Sequence, residues 1–410
     1  MDAPADAQRP SARERVLTLF PSLRSRNFRL FFVGQFVSLV GTWMQVVAQG
    51  WLVLELTNSP FLVGVVSALE SLPILLFTLW GGVLADRVNR RRALLVLQSL
   101  MLCDALALAT LTATGHVTVQ LVMVLAVLHG TSAAFEVPIR QAFIVEMVGK
   151  DSLMNAIALN SSNFNLTRIV GPAIAGATIA AFGSAACFYL NSASFIAAIG
   201  ALALMRGTAG APHAETRAAT FAEGARHALG ERGPRSLLLL TGIYSIFGFS
   251  FVSMLPVYTR DTLASDATGY GVLMTSVGIG ASIGALLMAT RGHTFDRLRV
   301  IRRAGLLFSA TLALLALVRG VAPAAAVLAC AGAAMILNNI STNTHLQVRV
   351  PDHLRGRVMG FYSLTVLGMA PFGAFQAGWI AEHFGVPVTL GLGAVMCGLA
   401  VLGFAPRRDA

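Results

Sequence analysis

Apolar runs of about twenty residues recur along the whole chain, and each is long enough to cross a bilayer as a helix. In lipid, every backbone N–H and C=O must be paired inside its own span, so a chain made of such runs is confined to helices. The runs fall at roughly 28–55, 62–85, 93–113, 117–138, 153–182, 184–205, 236–259, 270–291, 301–319, 321–344, 355–384 and 386–405. This predicts an all-α integral membrane protein with twelve transmembrane helices. Core helices of a large soluble protein would need polar faces, which these runs lack. Charged residues are 12% of the 410, about half the ~25% of a soluble domain. That excludes an ordinary cytosolic enzyme, a disordered chain and a secreted disulfide scaffold.

The formal net charge is nonetheless +11, from 30 basic and 19 acidic residues. Laid on the twelve runs, 27 of the 30 basic residues fall in the tails and alternate turns of one face. Arg168, Arg260 and Arg319 are left over. The positive-inside rule makes the basic face cytoplasmic and places both termini there. The charge therefore orients helices and does not mark a nucleic-acid partner. The first 27 residues are polar and Arg-rich without an apolar core, so they are expected to be a cytoplasmic tail and not a cleavable signal peptide. Within them, Val16, Leu17, Leu19, Phe20 and Leu23 allow either a short interfacial helix or an unstructured tail.

The polar stretch 206–235 divides the runs into two six-helix bundles, 28–205 and 236–405, followed by a short cytoplasmic tail, 406–410. The halves echo each other. Gly82-x3-Asp86-Arg87 returns as Gly292-x3-Asp296-Arg297, 210 positions later. Gly176 with Phe182-Gly183 returns as Gly378 with Phe384-Gly385, at an offset of 202. Repeated six-helix halves with a site between them are a transporter architecture. Cys103, Cys187, Cys330 and Cys397 lie inside apolar runs without metal-ligand spacing and read as small hydrophobes.

Three stretches resemble the major facilitator superfamily, over nearly the whole chain. Gly82-Val-Leu-Ala-Asp86-Arg87-Val-Asn89-Arg90-Arg91-Arg92 is similar to its motif A. Gly82 would let two helices approach closely, and Asp86 at a helix end can face another helix's positive N-terminus. The resemblance implies that this partner is the start of the eleventh span, around Leu354 to Arg357. It also implies that Arg90 pairs with Glu136, latching the halves while the cavity faces outward. Asn89 stands where the motif usually has Gly, and Asn tolerates a left-handed backbone. The second stretch, Arg168-Ile-Val-Gly171-Pro172-Ala-Ile-Ala-Gly176, resembles the antiporter motif of the superfamily's exporters. Pro172 interrupts the helical hydrogen bonding, while Gly171 and Gly176 offer a flat face. Asn160, Asn163 and Asn165 replace glycines usual upstream. The third, Asn27 to Gln45 with Pro138-Ile-Arg140-Gln141, resembles the enterobactin-exporter-like branch.

Charges at mid-membrane depth are costly and often functional. Arg168 can hold an anionic substrate group or pair with an acid. Asp104 or Glu70 is the candidate proton carrier, the alternative for each being a fixed ion pair. His129 and His345 can titrate, although a lone His more often bonds a neighbouring helix. Neutral polar candidates for the pathway are Gln35, Gln45, Gln49, Asn160, Asn163, Asn165, Asn338, Asn339, Asn343 and Gln376. The alternative for these is inter-helix hydrogen bonding. Trp43, Trp51, Phe247 and Phe251 can form an apolar wall or face lipid.

The chain carries no Gly-rich phosphate loop ending in Lys-Ser/Thr and no HExxH. This argues against ATP-driven pumping and metalloproteolysis. The reading is a non-enzymatic, proton-coupled exporter of amphipathic small molecules, drug or siderophore in type, working by alternating access. It needs no cofactor or metal, with a proton gradient as energy source. It is expected in the bacterial inner membrane as a functional monomer, with a small-molecule substrate and lipid as partners. A nutrient importer or facilitator of the same fold is the alternative. A membrane sensor would usually add a signalling domain.

Overall fold

The computed structural model describes residues 20–207 and 230–405. The positions Val16, Leu17 and Leu19, most of the 206–235 linker and the 406–410 tail lie outside the described residues. Of the N-terminal stretch, Pro21–Arg24 forms one 3₁₀ turn with Ser22 buried.

Every described element is helical. The order is α1 (Arg26–Thr57), α2 (Pro60–Arg87), α3 (Arg90–Ala113), α4 (Val119–Gly149), α5 (150–182) and α6 (Ser184–Ala203). After the linker come α7 (Arg232–Thr262), α8 (Ala267–Arg291), α9 (Arg297–Leu317), α10 (Val321–Arg349), α11 (Asp352–Gly368 continued by Ala370–Phe384) and α12 (Val386–Phe404). The boundaries follow local chemistry. Ser25, Ser59, Asn89, Thr118, Asp266 and Asp296 each cap a helix start by accepting a free backbone N–H, as short polar side chains do. α4 and α5 form one helical run broken only at Gly149, whose φ of 68° is a left-handed conformation that glycine adopts without strain. α7 contains two π turns, Tyr244–Gly248 and Tyr258–Thr262.

Eleven of the described helices are long and apolar enough to cross a membrane. α5 is not among them, and it carries Asn160, Asn163, Asn165 and Arg168 around its middle. α4 also runs well past the expected end at 138, reaching the break at Gly149. Large apolar side chains cover the outside of the bundle, with Trp80 69%, Phe182 79% and Leu317 75% exposed. Such faces are stable against lipid and not against water. One apolar core runs through both halves, from Met44 and Leu54 on α1 to Tyr244 on α7 and Phe308 on α9. A second fills the N-terminal half around Phe28, Phe31, Leu94 and Phe143.

Candidate functional site: a cavity between the two halves

The helix turns alternate between an Arg-rich end, as at Arg87–Arg92, and an Arg-poor end, as at Asn58–Ser59. Near the Arg-poor end two seams join the halves through glycines. Gly64 on α2 meets Gly378 on α11, where a methyl on Gly64 would lie 2.8 Å from the Gly378 Cα. Gly176 on α5 meets Gly271 on α8, at 2.9 Å from a methyl on Gly176 to the Gly271 Cα. Small residues permit this backbone-to-backbone approach, and any larger side chain would push the helices apart. The second seam continues inward through Thr275, whose hydroxyl donates to the Ile169 carbonyl at 3.4 Å.

Two C-half side chains grip the α1–α2 turn from outside. Arg260 Nη1 donates to Asn58 Oδ1 at 2.7 Å and to the Leu54 carbonyl at 3.3 Å. Glu382 Oε2 accepts from Ser59 Oγ at 2.8 Å and from the Phe61 backbone N–H at 3.0 Å.

Behind the glycine seams lies a cavity of about 300 Å³, lined from α1, α2, α7, α8 and α11. Among the described residues, Glu70 is the one charged residue lining it. Gln49 Nε2 donates to Glu70 Oε2 at 3.2 Å. The rest of the wall is hydroxyl or apolar, including Ser67, Ser245, Ser253, Phe249 and Tyr270. Tyr270 stacks on Trp51 with ring centroids 6.1 Å apart. Beside Glu70, on the side away from the cavity, α4 packs its Gly130 against the Glu70 backbone carbonyl. The preceding residue, His129, brings Nδ1 to 3.5 Å from Asp104 Oδ2 on α3. Asp104 and His129 are 8% and 6% exposed, and beyond this contact neither Asp104 carboxylate oxygen nor His129 Nδ1 has a hydrogen-bond partner among the described residues.

The other expected pathway residues lie elsewhere. Gln45 is buried between α1 and α6, accepting from Asn191 Nδ2 at 2.6 Å. Gln35 sits inside the N-terminal half in a small recess with Gln98 and Glu136. Asn163 donates to the Phe32 carbonyl at 3.3 Å. Asn339 accepts from the Tyr362 hydroxyl at 3.2 Å. Gln376 donates to the Ile246 carbonyl at 3.2 Å, in an apolar groove on the far side of α2 from the cavity. Gln45, Asn163, Asn339 and Gln376 each bond a partner on another helix. Arg168 forms no ion pair among the described residues, and its guanidinium lies 5.9 Å from the Trp43 ring centroid. Phe249, not Phe247 or Phe251, faces the cavity.

The motif residues also depart from expectation. Arg90 pairs with Glu146 at 3.2 Å, not with Glu136, which pairs with Arg140 at 2.9 Å one helical turn away. The reason is the length of α4, which carries Glu146 on its final turn beside the start of α3. A methyl on Gly82 would meet nothing within 4 Å. Its neighbour Gly81 makes the close approach, to Ala134 and Pro138 of α4. Arg91 donates to the Leu202 and Ala203 carbonyls at 2.8 and 2.9 Å, a cation at the C-terminus of α6, where the helix dipole favours it. Arg87 is exposed. Asn89 is not left-handed, with φ of −67°, and caps α3 through the Arg92 N–H at 3.0 Å. Asp86 is 56% exposed and lies 3.9 Å from Arg90. Around its expected partner the backbone of α11 is helical, while the side chains of Arg355 and Arg357 lie outside the described residues. On α5, Gly171 packs against Trp43 and Val40 of α1 while Gly176 packs against α8, so the two glycines serve different neighbours. The Pro172 carbonyl lies in the same α5–α8 contact, near Gly271.

Comparison with known proteins agrees with this architecture. The sequence matches the family described as transmembrane secretion effectors over residues 17–407. It is 30% identical over 386 residues to the multidrug efflux pump Tap of Mycolicibacterium fortuitum, covering 90% of this chain and 92% of the pump. It is 24% identical to the staphyloferrin A transporter of Staphylococcus aureus, covering 93% and 96%. It is 26% identical to the enterobactin exporter EntS of Shigella boydii, covering 91% and 86%. Among solved structures, a bacterial homologue of the human lysosomal transporter Spinster superposes with a TM-score of 0.76 at 13% identity, covering 92% and 95%. The chain is thus a multi-pass membrane transport protein and not an enzyme, and it belongs to the transmembrane secretion effectors of the major facilitator superfamily.

Proposed function

We propose that the protein is a proton-coupled exporter of amphipathic small molecules, of the drug or siderophore type, working by alternating access. In this reading α5 is the twelfth span, and the two six-helix halves, 28–205 and 236–405, rock about the cavity. The Arg-rich end is cytoplasmic, both termini lie there, and the chain works as a monomer in the bacterial inner membrane. A proton gradient supplies the energy without a cofactor. The observation that carries the reading is the cavity between the halves, closed toward the Arg-poor end by the Gly64–Gly378 and Gly176–Gly271 seams. That is the arrangement of a state sealed from outside.

Two relations support the pairing of halves. Gly64 and Gly271 are 207 positions apart, as are the helix caps Asn89 and Asp296. Gly176 and Gly378 are 202 apart, as are Gly130 and Gly332. The two seams are therefore one contact made twice, with the halves exchanging roles. Glu70, next to the buried His129–Asp104 pair, is the group through which a proton enters the cycle. The export by relatives of drugs and siderophores supports the substrate type. The test is uptake into everted membrane vesicles of an amphipathic dye, energised by respiration. Uptake should collapse with a protonophore. Uptake unchanged by the protonophore removes proton coupling from the reading.

A further inference from the structure

The cavity is chemically one-sided. We infer that it selects organic cations, such as protonated amines or onium ions on an aromatic body, and that Glu70 is the residue that recognises the charge. The inference rests on the export reading above and narrows its substrate class from amphiphiles in general to positively charged ones.

Glu70 is the one charged group among the residues lining the wall. Its Oε2 is held by Gln49, while Oε1 carries no hydrogen bond among the described residues. The carboxylate is thus oriented by one neighbour and open to another partner. The charged and titratable groups facing it do not reverse its sign. His129 on α4 lies against Asp104 on α3, and neither residue lines the cavity. Arg168 lies over Trp43 and is not among the residues lining the cavity wall.

The second half does not balance this charge. Gly332 of α10 packs on the Val277 carbonyl of α8 as Gly130 of α4 packs on the Glu70 carbonyl of α2. Val277 therefore occupies in the C-terminal half the place that Glu70 occupies in the N-terminal half. By the same offsets, Asp104 answers to Thr311 and His129 to Ala331, neither of which carries charge. Among the described residues lining the cavity, the carboxylate comes from the N-terminal half alone. An anion moved into this cavity would lose its water and meet a carboxylate, whereas a cation would exchange water for an ion pair. Phe249 and Tyr270 add aromatic surface for the body of such a cation.

Tetraphenylphosphonium and tetraphenylborate, nearly identical in shape and opposite in charge, separate this inference from simple hydrophobic fit. Binding of each is measured by equilibrium dialysis to the purified full chain in detergent, with empty micelles as reference. The expected result is at least tenfold tighter binding of the phosphonium than of the borate. Glu70→Gln should abolish most of that preference, and Glu70→Asp should keep it. Equal binding of the two ions by the wild type overturns the inference, and that result stands even if a variant fails to fold. So does a wild-type preference in Glu70→Gln. Vesicle uptake is scored separately. Charge-selective binding without uptake would sink the export reading and leave this inference standing, while uptake without charge preference would do the reverse.

Discussion

Glu382 accepts the backbone N–H of Phe61 at 3.0 Å, across the boundary between the two halves. The same turn is held on its other side by Arg260, which donates to the Leu54 carbonyl. An anion thus sits at the N-terminus of α2 and a cation at the C-terminus of α1, each the sign the helix dipole favours. The two contacts form a clasp on the Arg-poor end. For exposed groups each is worth about 0.3–1 kcal/mol, or a two- to fivefold shift between closed and open forms. Glu382→Ala and Arg260→Ala should each raise, by about that factor, the labelling of Ser253→Cys by an impermeant maleimide added outside. The background replaces Cys103 and Cys330, the two exposed cysteines. Unchanged labelling in both variants would remove the clasp.

The two adjacent glycines at the end of α2 should respond oppositely to a methyl group. On Gly81 it would lie 2.6 Å from the Ala134 carbonyl oxygen and 2.9 Å from Pro138 Cγ, so α2 and α4 must separate. On Gly82 it meets open space, and the gain in helix propensity is about 1 kcal/mol. Thermal unfolding of the purified variants should show Gly81→Ala less stable than wild type and Gly82→Ala equal or more stable. The reverse order would refute the packing described for this face.

The buried Asp104–His129 contact predicts strong coupling between the two positions. Removing one partner of a buried pair typically costs about 3–5 kcal/mol, because the other is left without compensation. Asp104→Asn and His129→Asn should each destabilise the protein, and the double variant should be less affected than the sum of the two. In vesicles, the variants should retain energy-independent substrate exchange while losing proton-driven accumulation. Additive losses of stability would show that the pair is not a unit.

How much of this was legible in the sequence depends on what fixed each feature. The spans and their turns are set by backbone hydrogen bonding in lipid, so run length and charge located most of them. The Gly176–Gly378 echo marked two residues that do occupy equivalent seams. The Asp86–Asp296 echo did not. Asp296 caps α9 while Asp86 ends α2, and the true counterpart of Asp296 is Asn89, a different residue type at a different offset. Which face a polar residue presents was hidden, because lipid-facing and seam-facing positions are both apolar in these helices. Gln45, Asn163 and Gln376 therefore looked like cavity groups and proved to bridge helices. In α7 the π turn at Tyr244–Gly248 adds a residue to the turn and rotates the rest of the helix, which puts Phe249 on the wall. Glu146 is not legible from composition, because the apolar run of its helix ends near 138 while the helix itself continues to Gly149.

Asp86 separates a gating role from a structural one. It is exposed in this state, with Arg90 at 3.9 Å, and a surface contact of that kind contributes about 0–1 kcal/mol. Asp86→Asn should therefore insert normally and unfold within about 2 °C of wild type, yet lose most of its transport. Wild-type flux would dismiss the gating role, and a large loss of stability would reassign Asp86 to the fold.

The single carboxylate on the cavity wall also sets the electrical character of the cycle. If Glu70 takes either one proton or one monovalent cation, each exchange moves no net charge across the bilayer. A membrane potential does about 2.3 kcal/mol of work per elementary charge for every 100 mV, and none of it would be available to such a cycle. The chemical gradient of protons alone would set how far a cation is expelled.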